Sequence, residues 1–212
     1  VYEKECEEKL AFSSYQNALT LNSKNIKARV AVGAMYYKQG ELDLAFGEFS
    51  EVLAEDFNNV SAHYHLGLIY NLREEFEKAI AELKYAVTFD TKNIDAYNNL
   101  GLAYGFLGWH DEALNEFKIA CRLNPNNSEL KYALGYIYFL KRDYSNALRE
   151  LEDAVRLDPD LPESRAVLGS IHFELENYDE ALDEFNKSLE FDPGNAYTLY
   201  NRGLVYDTLG ML

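Results

Sequence analysis

The side chains able to do chemistry are few and widely spread. Of the four histidines, His63, His65, His110 and His172, only the first two are near one another in sequence. On a helix, residues two apart point in different directions, so His63 and His65 make a poor metal pair. Cys6 and Cys121 lie far apart, and neither belongs to a CxxC or Cys/His cluster with zinc-ligand spacing. Carboxylates are abundant, but paired acids are common on helix surfaces and a general acid needs an enclosing pocket. No nucleophile elbow, phosphate-cradling glycine loop or zinc-hydrolase helix is present in the sequence. The expectation is a protein without catalysis, cofactor or metal.

Charge and hydropathy narrow the partners. The 36 Asp and Glu residues outweigh 20 Lys and Arg to give a formal net charge of -16, which is hostile to a phosphate backbone, so nucleic acid is not expected as a partner. Apolar residues make up 48% of the chain, enough for a sizeable core in 212 residues. No apolar run is long enough to span a bilayer, and the residue order of a signal peptide is absent, so direct membrane insertion is not expected. The chain starts at Val1 rather than Met, which points to removal of a presequence or N-terminal region. A soluble protein is expected, with a cytoplasmic setting favoured.

The elements that must position any binding residue emerge from a strict internal period. Gly33, Gly67, Gly101, Gly135, Gly169 and Gly203 are each 34 residues apart. Tyr36, Tyr70, Tyr104, Tyr138, His172 and Tyr206 follow three residues later, and Ala45, Ala79, Ala113, Ala147 and Ala181 keep the same step. Phe49, Leu83, Phe117, Leu151 and Phe185 form a fourth series, and Pro125, Pro159 and Pro193 close three of the units. Apolar residues three and four apart within each unit predict two short amphipathic helices separated by a polar break such as 38–42 or 106–112. A glycine inside a helix costs about 1 kcal/mol in propensity, so its regular return requires a close helix–helix approach. The alanine of the second helix serves the same approach, and proline stops that helix.

The segment 96–127, AYNNLGLAYGFLGWHDEALNEFKIACRLNPNN, closely resembles the tetratricopeptide repeat consensus. On that frame the whole chain, 1–212, is a single array. A second-type helix lies within 1–25, five full repeats span 26–59, 60–93, 94–127, 128–161 and 162–195, and a first-type helix occupies 196–212. Phe57 and Thr91 depart from the pattern where proline is usual, as do Glu55 at an apolar place and His172 at the tyrosine place. The resemblance implies an all-α fold of helix-turn-helix repeats stacked as a right-handed superhelical solenoid. It also implies a protein-interaction scaffold or adaptor that holds a peptide or helical segment of a partner in a concave groove.

Carried over position by position, the resemblance places Tyr64, His65, Leu68, Asn71 and Leu72 in the groove from the second unit, and Asn98, Asn99, Leu102 and Phe106 from the third. Tyr132, Tyr136, Phe139 and Leu140 follow, then Ser170 and Phe173, and lastly Tyr197, Tyr200 and Asn201. Tyrosine gives contact area with a hydroxyl, and asparagine pairs with a peptide backbone in both directions. The alternative for several of these aromatics is inter-repeat core. The carboxylate clamp of chaperone-binding members is not expected: Asn99 fits one position, but Glu129 and Ala133 stand where lysine and arginine are needed, and a buried glutamate would repel a bound carboxylate.

Other surfaces are marked more faintly. The fifth repeat sets nine acids against Arg165 and Lys187. Such a run steers a basic partner or is simply a solvated helix face. Trp109 beside His110 at a turn is either an exposed anchor or a side chain folded onto its neighbours. The last segment carries Leu199, Leu204, Tyr206 and Leu209 without the polar outer face of a terminal repeat, so its cover is further repeats or another copy of the chain. The competing functional expectations are the recognition or regulatory arm of a larger enzyme and a self-assembling scaffold joined through end helices.

Overall fold

The computed structural model describes residues 2–211, with side chains from Glu7 onward, so Cys6 lies outside the described side chains. Twelve α-helices account for the fold, and no strand occurs among the described residues. The chain divides into two compact units, Val1–Leu107 and Gly108–Leu212. The first unit holds α1 (Tyr2–Leu21), α2 (Ile26–Lys38), α3 (Leu42–Glu55), α4 (Val60–Leu72), α5 (Phe76–Phe89) and α6 (Ile94–Phe106). The second holds α7 (His110–Leu123), α8 (Ser128–Leu140), α9 (Tyr144–Leu157), α10 (Pro162–Glu174), α11 (Tyr178–Phe191) and α12 (Ala196–Thr208).

Five of the six first-type helices start by the same device. The side chains of Asn25, Asn59, Asn93, Asn127 and Asn195 accept a hydrogen bond from the amide N–H three residues on, satisfying a donor that has no partner within the helix. At α10 the capping place is Leu161, and Pro162 at the first helical position removes one unsatisfied donor instead.

The turn from first to second helix is equally regular. At α2 the Gly40 N–H donates to Tyr37 O and the Glu41 N–H to Tyr36 O, a closing pair that requires a left-handed residue. Gly40 and Gly108 take it with φ of 79° and 75°, but Glu74, Arg142 and Glu176 adopt φ near 60° at the same place in their turns. The αL form costs a residue with a Cβ about 1 kcal/mol or more, and the hydrogen-bonded turn compensates for it. Trp109 is the N-cap of α7 and is 46% exposed, so its indole is only partly covered.

The close approach predicted from the glycine series is present in both units. In the first, a Cβ on Gly67 would lie 2.5 Å from Leu83 Cγ, and one on Gly33 would lie 3.0 Å from the Phe49 ring. In the second, Gly135 faces Leu151 at 2.7 Å and Gly169 faces the Phe185 ring at 2.7 Å. Phe49, Leu83, Leu151 and Phe185 are fully buried, as are Ala45, Ala79, Ala147 and Ala181. Each of these four hairpins is therefore sealed by a large side chain laid across the glycine of its partner helix. The neighbouring first helices α2, α4 and α6 line one face of the first unit, and α8, α10 and α12 line one face of the second.

A ladder of side-chain hydrogen bonds crosses the hairpins with a separation of 19 residues. Arg29 bonds to Glu48, His63 to Glu82, Lys131 to Glu150 and Arg165 to Glu184. Each joins the first turn of a first helix to the middle of the second, fixing how the two helices slide along one another.

Candidate protein-binding site

In the second unit, α8 presents Tyr132, Tyr136 and Phe139 at spacings of four and three, which share one helix face. The Tyr132 and Tyr136 rings lie 6.0 Å apart at 24°, Tyr136 and Phe139 are 6.3 Å apart, and Phe139 continues to Tyr144 at 6.3 Å. The four rings form a continuous strip, with Tyr136 and Leu140 exposed. Across from the strip, buried Ser170 donates to Ala166 O and pairs with the Tyr197 hydroxyl at 2.8 Å. Ser170 thus acts from behind the surface, holding Tyr197 of α12 in place. Phe173 is half-buried against Tyr178, while Tyr200 is exposed and Asn201 donates to Tyr197 O.

A cavity of about 220 Å³ opens between α8, α10 and α12, lined by Tyr132, Tyr136, Glu163, Ala166, Val167, Asn195 and Tyr197. Burial pushes the Tyr132 phenol up to about 12, with the charges of Tyr136, Glu163 and Tyr197 adding to the shift. A second depression of about 190 Å³ lies beside Phe139, Leu140, Arg142, Tyr144 and Glu174, where the Tyr144 hydroxyl donates to Glu174.

In the first unit, the corresponding face is mixed in character. Leu68 is buried and belongs to the wall behind the surface, whereas Leu72, Leu102 and Phe106 are exposed. The Asn71 amide donates to Asn99 O at 3.0 Å, bracing α4 against α6, and its buried Oδ1 has no hydrogen-bond partner among the described residues. Asn98 is half-buried, and the Asn99 amide turns back to Asp95 O. A depression of about 560 Å³ runs past Asn71, Leu72, Phe76, Asn99, Leu102 and Phe106, with Phe76 stacked on Phe106 at 4.8 Å. Burial pushes the Tyr64 phenol up to about 12, assisted by Asp95 and Tyr37.

His65 does not act as an exposed contact. Its ring stacks on Phe49 at 4.6 Å, meets Tyr37 and Tyr64 edge-on, and its Nδ1–H donates to Ser61 O. Burial lowers its pKa below the ordinary 6.5, opposed by the Ser61 hydrogen bond. The folded chain therefore holds the ring neutral, and this contribution to stability is full above pH 6.5 and is lost as pH falls through the lower folded value. His65→Leu is expected to flatten the acid side of the stability profile. Urea midpoints on both sides of pH 6.5 check this, and a wild type that loses stability no faster than the variant contradicts it.

Glu129, expected as a buried charge, is exposed in the first turn of α8. Four contributors to these faces were not foreseen: Phe76, Tyr144, Asp95 and Glu163. The signals for them existed, since Phe76, His110, Tyr144 and Tyr178 recur at the start of second helices, and Asp95, Glu129 and Glu163 recur at the second residue of first helices. Among the described residues no group of three or more His, Cys, Asp or Glu could hold a metal ion, and no helix is long and apolar enough to cross a membrane. Cys121 is a buried free thiol.

Paired helices closed over glycine, with their first members aligned on one face of each unit, define the tetratricopeptide class, and the chain is a tetratricopeptide-repeat protein. The TPR repeat model matches residues 67–108 and 169–210, and the model for anaphase-promoting complex, cyclosome, subunit 3 matches 110–188. Among solved structures, YrrB, described as a TPR protein with an unusual peptide-binding site, is 21% identical with a TM-score of 0.79, over 89% of this chain and 97% of that one. MamA is 27% identical with a TM-score of 0.71, over 78% and 96% of the two chains. The APC/C hetero-tetramer Cut9-Hcn1 contains a chain 21% identical with a TM-score of 0.73, over 95% of this chain and 40% of that one. No curated protein sequence matches significantly. The fold is that of protein-interaction scaffolds, with proteins as the partners it implies.

Proposed function

We propose that the chain is an adaptor that takes up an extended or helical segment of a partner protein on its first-helix faces. The observation that carries this is the aromatic strip of Tyr132, Tyr136, Phe139 and Tyr144, which remains partly open to solvent beside a cavity instead of being closed into the core. Tyrosine-rich, rigid surfaces of this kind concentrate binding energy with little entropy loss. YrrB's described peptide-binding site and the Cut9-Hcn1 assembly lend support from the same fold.

The test is a pull-down with the whole chain and with the Tyr136→Ala, Phe139→Ala double variant, followed by mass spectrometry. Partners are expected to be lost from the variant while its melting temperature stays within a few degrees of wild type. Retention of every partner by the folded variant would overturn the proposal.

A second mode, self-association through α12, is favoured by one observation. A Cβ on Gly203 would meet nothing within 4 Å, and Leu199 and Tyr200 on that helix and Leu209 at its C-cap are exposed. Sedimentation that depends on concentration and is abolished by Leu199→Ser with Leu209→Ser supports it; a monomer at every concentration removes it.

A further inference from the structure

The cavity between α8, α10 and α12 is chemically one-sided. Three tyrosines and one carboxylate surround it, and none of its lining residues is basic. The basic residues next to it in sequence are turned elsewhere: Lys131 bonds to Glu150 and Asp153, and Arg165 bonds to Glu184 and Pro159 O. Glu163 makes no ion pair among the described residues and is exposed in the first turn of α10. The same chain places a cation over an aromatic ring at Tyr70, where Lys78 sits 5.4 Å from the centroid, and at Tyr138, where Lys118 sits 5.4 Å away. At the cavity, the described residues provide rings and a carboxylate without such a cation.

We infer that this cavity receives a cationic side chain, arginine or lysine, from the partner segment, held between the faces of Tyr132 and Tyr136 and the carboxylate of Glu163. Its significance rests on the first-helix faces being the partner-binding surface. A ring face attracts a cation through its quadrupole, and the attraction grows as the cation leaves bulk water. Glu163 supplies the countercharge, and the net charge of -16 draws a basic segment toward the surface while repelling an acidic one. The volume of about 220 Å³ is enough for one long side chain. Ser170 fixes Tyr197, so one wall of the site is formed before any ligand arrives. A related pairing recurs in the first unit, where Asp95 acts on Tyr64, each 68 residues before its counterpart, Glu163 and Tyr132.

The experiment is a titration of the whole chain, carrying ring-13C tyrosine, with blocked Gly-Arg-Gly, Gly-Lys-Gly and Gly-Gln-Gly peptides followed by NMR. The cationic peptides are expected to shift the Tyr132 and Tyr136 ring signals saturably and to bind at least about threefold more tightly than the glutamine peptide. Glu163→Gln is expected to weaken the arginine peptide about threefold to tenfold with melting unchanged. Equal binding of all three peptides, no saturable shift, or an arginine affinity indifferent to Glu163→Gln in a folded variant overturns the inference. The comparison of peptides on the wild-type chain stands even if that variant fails to fold. A partner captured on this face through a neutral or acidic segment overturns the cation site while leaving the adaptor proposal intact.

Discussion

Gly67→Ala is expected to destabilise the chain, and Gly203→Ala is expected to stabilise it, although both glycines hold the same place in the period. At Gly67 the new methyl would lie 2.5 Å from Leu83 Cγ and 3.3 Å from the Leu83 backbone nitrogen. Leu83 has no exposed surface and so cannot swing aside. Overpacking costs about 1–3 kcal/mol, against about 1 kcal/mol gained in helix propensity, so a net loss of about 1 kcal/mol is expected. Gly67→Leu should lose about 3 kcal/mol. At Gly203 nothing lies within 4 Å, so only the propensity gain of about 0.5–1 kcal/mol remains. Thermal melting reads both, and shifts of the same sign would show that close helix contact is not what the glycines serve.

The second large effect concerns the side-chain ladder. Glu150 is 6% exposed, its Oε2 accepts from Lys131 at 2.6 Å and its Oε1 accepts from Arg149 at 2.9 Å. Burial lowers the Lys131 pKa, but the hydrogen bonds and charges of Glu150 and Asp153 outweigh it and hold the ammonium above its usual range. Lys131→Met would leave the buried carboxylate with Arg149 alone. A loss of about 2–3 kcal/mol is expected, below the usual cost of breaking a buried pair because the Lys131 side chain is 17% exposed and one partner survives. Adding Glu150→Leu removes the stranded charge and should restore part of the loss. Denaturant unfolding of both single variants and the double should show a coupling of at least about 1 kcal/mol. Strict additivity would mean the pair contributes nothing beyond its separate side chains.

The helical hairpins were legible because their closest contact admits few residue types. Only glycine lets Leu83, Leu151 or Phe185 lie across a helix at these distances, so the requirement is printed every 34 residues. The turns were less legible. Gly40 and Gly108 mark the left-handed position, but Glu74, Arg142 and Glu176 adopt it without a glycine, since the surrounding hydrogen bonds impose the conformation. The ladder was hidden by chemistry, because its first-helix position is arginine in two repeats, histidine in one, lysine in one and tyrosine in the remaining one, so no single residue type marks it.

At the candidate faces, position within the repeat identified the aromatics but not their depth. Leu68 and Ser170 are buried, and His65 is stacked between aromatic rings, because neighbouring first helices pack closely enough to cover them. Glu163 belonged to an acidic stretch when read along the chain, and only the packing of α8, α10 and α12 sets it beside Tyr132. Charge runs carry no depth information, since the same glutamate serves a solvated face or a cavity.

The most direct test of partner binding on the first-helix face is photo-crosslinking with benzoylphenylalanine placed at Tyr136 on α8 or at the exposed Glu152 on α9. Captured partner peptides are expected from position 136 and not from position 152. Crosslinks from 152 with none from 136 would contradict the account.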